Sequence, residues 1–321
     1  MRFQITVNSE NGWHSLQLKD TVTGTIAEVI PDAGAILNSF SVLNNGRPVN
    51  LVEGFHSMAD WNENKTKGFR SAKLSPYVCR VADSTYEWAG KTHNLSKFIL
   101  NGVAIHGIIY DAAFQVVETM SAQDHAEVEL KFAYRKGDPG FPFDYDCLVK
   151  YRLDADNLLT ISTLIHNHDK VPIPMTDGWH PYFTFGSKVD GYQLMINTDK
   201  MLEYDSALIP TGNHIPVEGF RSGVTIGDRH FDNGFVLDQS ADQPMARLSD
   251  PASGMSLEFH PDAHYPFMQV YTPPHRNSIA IENLSSAPDA FNNGIGLVTL
   301  KPDESRVFTV KLKVTISGLT D

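Results

Sequence analysis

Apolar residues recur at every second position through the longest patterned stretches of this chain, and that spacing limits the fold more than any other feature. Val128, Leu130, Phe132 and Tyr134 alternate with Glu127, Glu129, Lys131 and Ala133. Near the end of the chain, Phe308, Val310, Leu312, Val314 and Ile316 alternate with Thr309, Lys311, Lys313 and Thr315. Successive side chains of a strand point to opposite faces, so each run is a half-buried strand with one wet side. Two further runs between Cys147 and Ile165 flank Asp154-Ala155-Asp156-Asn157, a turn cluster that predicts a hairpin. Its second strand turns Leu159, Ile161, Thr163 and Ile165 to one side.

Helical periodicity is scarce. Short helical turns are expected near His56–Asn62 and Ala287–Asn293, and no apolar stripe of ten residues follows. Glycine and proline punctuate the whole chain instead of marking one linker, and no internal repeat is visible. An all-β fold of two packed antiparallel sheets, forming one domain over residues 1–321, is the simplest architecture. Long loops at His56–Ser71 and Leu202–Asp228 are expected to shape a binding face.

The formal net charge is −12 with histidines neutral, and there is no block of Lys or Arg. A nucleic-acid backbone or an anionic membrane would be repelled, so neither is expected as a partner. Cys79 and Cys147 have no metal-ligand spacing around them; a single disulfide stays open, a stapled scaffold does not. The start of the chain alternates like a strand and lacks the apolar block of a signal peptide, and no window approaches a membrane span. A cytoplasmic location is the expectation.

A few residues stand out chemically. His180 lies in Gly178-Trp179-His180-Pro181-Tyr182-Phe183, a stiff aromatic and proline frame suited to the apolar faces of sugar rings. A core histidine bonded to a backbone carbonyl fits the same residues. Glu282 interrupts the apolar run Ser278-Ile279-Ala280-Ile281; a carboxylate there is costly unless paired, whether as a loop anchor or as a working group. His106 has Gly107 beside it, Arg80 is flanked by apolar Val81, and Asp232 sits between Phe231 and Phe235. His166 and His168 would share a strand face, with no third metal ligand in view. No Gly-x-Ser-x-Gly elbow, P-loop or dinucleotide fingerprint occurs.

Together and in this order, these islands resemble the aldose 1-epimerase (galactose mutarotase-like) family over nearly the full chain. The match rests on Arg80 in Pro76-Tyr77-Val78-Cys79-Arg80-Val81, His106 in Ile105-His106-Gly107, and His180 in Trp179-His180-Pro181-Tyr182-Phe183. It continues with Asp232 in Phe231-Asp232-Asn233-Gly234-Phe235, Gln269 in Gln269-Val270-Tyr271-Thr272, and Glu282 ahead of Pro288-Asp289-Ala290-Phe291-Asn292. The resemblance implies a large antiparallel β-supersandwich and interconversion of the α and β anomers of a free aldose. By it, Glu282 is the base on the anomeric hydroxyl, His180 the acid at the ring oxygen, and His106 an assistant. Arg80, Asp232 and Gln269 would orient the sugar's hydroxyls or the glutamate, with no metal or cofactor required, while Trp179 is expected to bind the sugar from its place in the aromatic frame. A bell-shaped rate profile is expected, its alkaline limb marking loss of the His180 proton. Where the family has asparagine, this chain has Cys79, which touches substrate preference. A sugar phosphate would need a cationic pocket, and Arg70, Lys73 and Lys97 do not make one in sequence. Two other readings remain: a carbohydrate-binding protein without turnover, and a glycoside-processing enzyme using Asp232 and Glu282 as paired carboxylates.

Overall fold

The computed structural model describes residues 1–10 and 12–317; the last part of the expected 1–321 unit, residues 318–321, lies outside the described residues. The period-two runs become the longest strands. His125–Arg135, Asp144–Asp154, Leu158–Asn167 and Ser305–Ile316 stand side by side in the middle of an antiparallel sheet. That sheet is nine-stranded among the described residues. The hairpin forms as its pattern predicts, and its turn residues Asp156 and Asn157 take left-handed backbone angles, which short polar side chains tolerate. Along its second strand Leu159, Ile161, Thr163 and Ile165 are all buried.

A second antiparallel sheet carries the site. Its order runs Pro210–Pro216, Lys200–Tyr204, Asp232–Val236, Phe267–Tyr271, Ile279–Leu284, Gly178–His180, Ala72–Leu74, with Tyr182–Phe183 also paired to Ile279–Leu284. Its inner side chains, among them Phe183, Met268, Val270, Ile279 and Ile281, join Val128, Leu130, Val310 and Leu312 of the nine-stranded sheet in one apolar cluster. Phe183 meets Phe259 across the gap, edge to face at 5.2 Å between ring centres. Each such fully buried side chain contributes roughly 1.5–3 kcal/mol from its removal from water. A five-stranded meander from Phe3–Asn8 to Arg47–Asn50 adds to the same cluster through Leu18, Val29 and Phe40.

Among the described residues the α-helices are two short ones, Met58–Asn64 and Ala290–Asn293, near the expected turns. Ser57 caps the first, its side chain accepting from the Asp60 N–H. One expectation fails. Leu202–Asp228 is not a loop: Lys200–Tyr204 and Pro210–Pro216 pair as a hairpin on the sheet edge. The edge strand Pro-Thr-Gly-Asn-His-Ile-Pro is mostly exposed, so it carries no apolar alternation for a sequence pattern to detect. No helix among the described residues is long and apolar enough to cross a membrane. Both cysteines are buried and free, so the disulfide that the sequence left open does not form.

Candidate active site

Four neighbouring strands of the second sheet bring Asp232, Gln269, Glu282 and His180 to its outer face. Gln269 lies directly opposite Glu282 in the ladder. The flanking pairs Gly178–Leu284 and Tyr182–Ala280 set His180 opposite Glu282 on the other side. Above this floor stands a small three-stranded sheet in which Arg80 pairs with Ile105, delivering Arg80 and His106. The result is a cleft of about 260 Å³ lined by Arg80, His106, His180, Asp232, Gln269 and Glu282. Phe69, Tyr182 and Tyr271 supply its aromatic walls, and Cys79 also faces it.

The backbone around His106 is tightly specified. His106 and Gly107 both lie in the left-handed region, with φ of 62° and 78°. The His106 N–H donates to the Cys79 carbonyl at 2.7 Å and the Ile108 N–H to the Ser75 carbonyl at 2.8 Å. A Cβ on residue 107 would come within 2.2 Å of the Ser75 carbonyl oxygen, so glycine alone fits. The Pro288–Asn292 motif holds Arg80 from behind. The Asp289 N–H donates to the Arg80 carbonyl, and the Asp289 carboxylate accepts from the Ala82 N–H at 2.9 Å.

At the centre, His180 Nε2 and Glu282 Oε1 are 3.3 Å apart, and both residues are almost wholly buried. The His106 ring meets His180 edge-on at 4.8 Å, while Tyr182 stacks on the other side at 5.1 Å. Glu282 Oε2 and His106 Nδ1 have no hydrogen-bonding partner among the described residues, leaving polar capacity in the cleft. Burial and the nearby Asp232 push the Glu282 carboxyl well above the usual carboxylate range, against the pull of Arg80. Burial, with Arg80 adding to it, lowers His180 to about 4. His106 is driven well below the ordinary imidazole value by burial, then by His180 and Arg80. Both shifts favour the uncharged forms, a carboxylic acid beside a neutral imidazole. A carboxyl and an imidazole sharing one proton can take a proton at one atom and deliver one at another.

Trp179, read from the sequence as a sugar-binding ring, does not line the cleft. It is buried on the opposite face of its strand, edge-on to Tyr151 at 6.0 Å and under the Lys73 ammonium at 4.7 Å. Neighbours on a strand face opposite sides, so with His180 toward the cleft, Trp179 points into the core. The same rule gives the cleft Tyr182, two residues on. Two more contributors escaped the sequence. Phe69 packs on His106 at 4.6 Å. Tyr204 donates to Gln269 Oε1 at 3.1 Å, and Gln269 Nε2 donates to Asp232 at 2.8 Å, a relay along the cleft wall. Neither carries a signal in the sequence; Gly234 makes the room for Tyr204, since a Cβ there would lie 2.2 Å from its hydroxyl.

Other charged groups are already engaged. Lys73 pairs with Asp177 at 2.5 Å, both fully buried; Lys97 pairs with Asp111 at 2.6 Å; and Arg70 lies 3.5 Å from Glu53. His166 bonds Ser305 and His168 bonds Asp146, each at 2.8 Å. Among the described residues no group of three or more His, Cys, Asp or Glu could hold a metal ion.

The chain is 29% identical over 247 residues to an aldose 1-epimerase of Streptococcus thermophilus, covering 70% of this chain and 68% of that one. It is 26% identical over 247 residues to a galactose mutarotase of Sus scrofa, covering 71% and 68%. A galactose mutarotase-like protein from Clostridium acetobutylicum has the same fold, with a TM-score of 0.86 at 21% identity over 98% of this chain and 99% of that one. The family profile for aldose 1-epimerase matches residues 16–313, and the chain belongs to that family.

Proposed function

We propose that Glu282 and His180 carry out the interconversion of α and β anomers of a free aldose, with the sugar seated between them and the Arg80, Asp232 and Gln269 wall. One observation carries this reading: an imidazole and a carboxyl 3.3 Å apart, buried, facing a cleft otherwise lined by hydrogen-bonding side chains.

With the proton of the pair moved onto His180 and Glu282 ionised, Glu282 takes the proton of the anomeric hydroxyl as the C1–O5 bond breaks, and His180 gives its proton to O5. The product is an open aldehyde. Rotation about C1–C2 presents the other carbonyl face. Glu282 then returns its proton to the former carbonyl oxygen while His180 recovers the one on O5, so the pair ends as it began. The proton count of the pair never changes, and charge moves only between two facing side chains. Arg80 stabilises a negative Glu282, which burial disfavours. His106, edge-on to His180, lies where it can touch the ring oxygen or an adjoining hydroxyl. Phe69, Tyr182 and Tyr271 give apolar faces to the ring. The preferred aldose is expected to be a simple aldohexose.

The test is polarimetry on a freshly dissolved α-aldose. Glu282→Gln keeps the shape and loses the acceptor, and a positioned base typically contributes about 10²–10⁴-fold. A fall of that size in a folded variant supports the assignment, and near-normal anomerisation overturns it.

A further inference from the structure

Behind the catalytic pair, on the inner face of the same two strands, lies a second and much smaller cavity of about 20 Å³. Leu37, Ile161, Phe183, Val310 and Leu312 make most of its wall, as expected between two sheets. Three polar side chains also open onto it: Ser71, Trp179 and Asn283. Each is more than nine-tenths buried. Ser71 Oγ, Trp179 Nε1 and Asn283 Oδ1 have no hydrogen-bonding partner among the described residues. Buried polar groups are rarely left unpaired, and three converging on one apolar cavity need a common partner.

The backbone shows why that partner matters here. Register pairs Gly178 with Leu284 and Tyr182 with Ala280, but between them, where His180 stands opposite Glu282, the ladder thins to one long bond, from the Ile281 N–H to the Pro181 carbonyl at 3.3 Å. Pro181 has no N–H to offer. The His180 carbonyl is turned away to accept from the Ser71 N–H at 2.9 Å. The strands carrying the acid and the base are therefore least well tied at the point where their spacing counts. Trp179 directly precedes His180, Asn283 directly follows Glu282, and Ser71 holds the His180 carbonyl.

We propose that this cavity binds a single structural water that accepts from Trp179 Nε1, donates to Asn283 Oδ1 and exchanges a hydrogen bond with Ser71 Oγ, bracing the strands that position His180 and Glu282. Size and chemistry agree. A water needs about 10–15 Å³ of such volume and two to four polar partners. The indole supplies a donor, the amide oxygen an acceptor, and the hydroxyl either. One water fits and three partners are present; an apolar ligand would leave all three unpaired. The residues are positioning residues, since none of them touches the cleft.

Two measurements test this. A high-resolution crystal structure of the wild type should show one ordered density peak within hydrogen-bonding distance of all three atoms. Trp179→Phe and Asn283→Leu should each lower kcat several-fold with little change in KM, because sugar contacts lie on the other face. The double variant should lose no more than the worse single one, since both remove the same bridge. A dry cavity, or losses in kcat that simply multiply, overturns the proposal. The kinetic arm rests on the roles given to Glu282 and His180, whereas the crystallographic arm does not. An error in those roles would show as a wild type without anomerisation but with the water in place.

Discussion

Removing one hydroxyl from the wall of the cleft gives the sharpest check on how the site is held. In Tyr204→Phe the donor to Gln269 Oε1, at 3.1 Å, is lost, while the Gln269 Nε2 bond to Asp232 at 2.8 Å survives. Gln269 is only 6% exposed, so its carbonyl is left largely without water as a substitute. A buried acceptor stripped of its partner costs about 1–3 kcal/mol. The surviving bond still fixes half of the amide, which places the effect at the lower end. That cost falls on the folded protein, so the melting temperature should drop as well; kcat/KM should fall by about five- to tenfold if the sugar needs the Gln269 amide in its present orientation, as each 1.36 kcal/mol is one decade. Gly234→Ala reaches the same point sterically: its backbone φ is ordinary, but the new Cβ would sit 2.2 Å from the Tyr204 hydroxyl and must displace it. Polarimetric initial rates over a range of sugar concentrations measure both. A folded Tyr204→Phe with unchanged kcat/KM would show that the relay does not act on the substrate.

The pH profile of kcat/KM should be bell-shaped, with limbs that belong to the Glu282–His180 pair and not to His180 alone. The acid limb, where the pair gains a second proton, should fall near the lowered His180 value of about 4, and the alkaline limb, where it loses its only proton, above the usual carboxylate range. A limb near the ordinary imidazole value, abolished in His180→Asn, would instead restore the simpler expectation that the imidazole titrates independently. Cys79→Asn should both steady the fold and shift sugar preference. Residue 79 has φ of 50° and faces the cleft, asparagine tolerates that conformation, and its amide adds a contact of about 0.5–1.5 kcal/mol. Identical kcat/KM values for galactose, glucose and a 6-deoxyhexose in both proteins would refute that. Lys73→Met should destabilise by about 3–5 kcal/mol, because it strands Asp177 in the core. Burial raises the folded Asp177 pKa, so the deficit is small below its unfolded value and grows as pH rises through the window above it; urea midpoints at about pH 4.5 and about pH 7.5 should show the larger loss at the higher pH.

Sequence patterns reported the sheet far better than its edges. The long runs at His125–Arg135 and Ser305–Ile316 are legible because one face meets the core and the other meets water. The edge strand Pro210–Pro216 has no buried face and so looked like a loop. Resemblance placed Glu282, His180, His106, Arg80, Asp232 and Gln269 in one site, and they line one cleft. Trp179 was misplaced because the aromatic frame was weighed without strand parity, which sends residue 179 away from residue 180. Tyr204 lies more than twenty residues from any other site group, and Phe69, though near Arg80 in the chain, meets His106 only through the fold. Burial likewise needs three dimensions, and it is what shifts Glu282 up and His180 down.

Gln269, Glu282 and His180 stand in one row running across three adjacent strands. Strand spacing is about 4.7–4.9 Å, so the row is a ruler: its Gln269–Glu282 mark is set by direct ladder pairing and its Glu282–His180 mark by the flanking pairs Gly178–Leu284 and Tyr182–Ala280. On each strand the next residue, Met268, Ile281 or Trp179, is locked into the space between the sheets. No mark can slide without dragging a buried neighbour out of place. Change of substrate in such a molecule should come from what overhangs the ruler, the 56–68 segment and the turn at residues 99–102, because those parts can be exchanged while the graduations stay fixed.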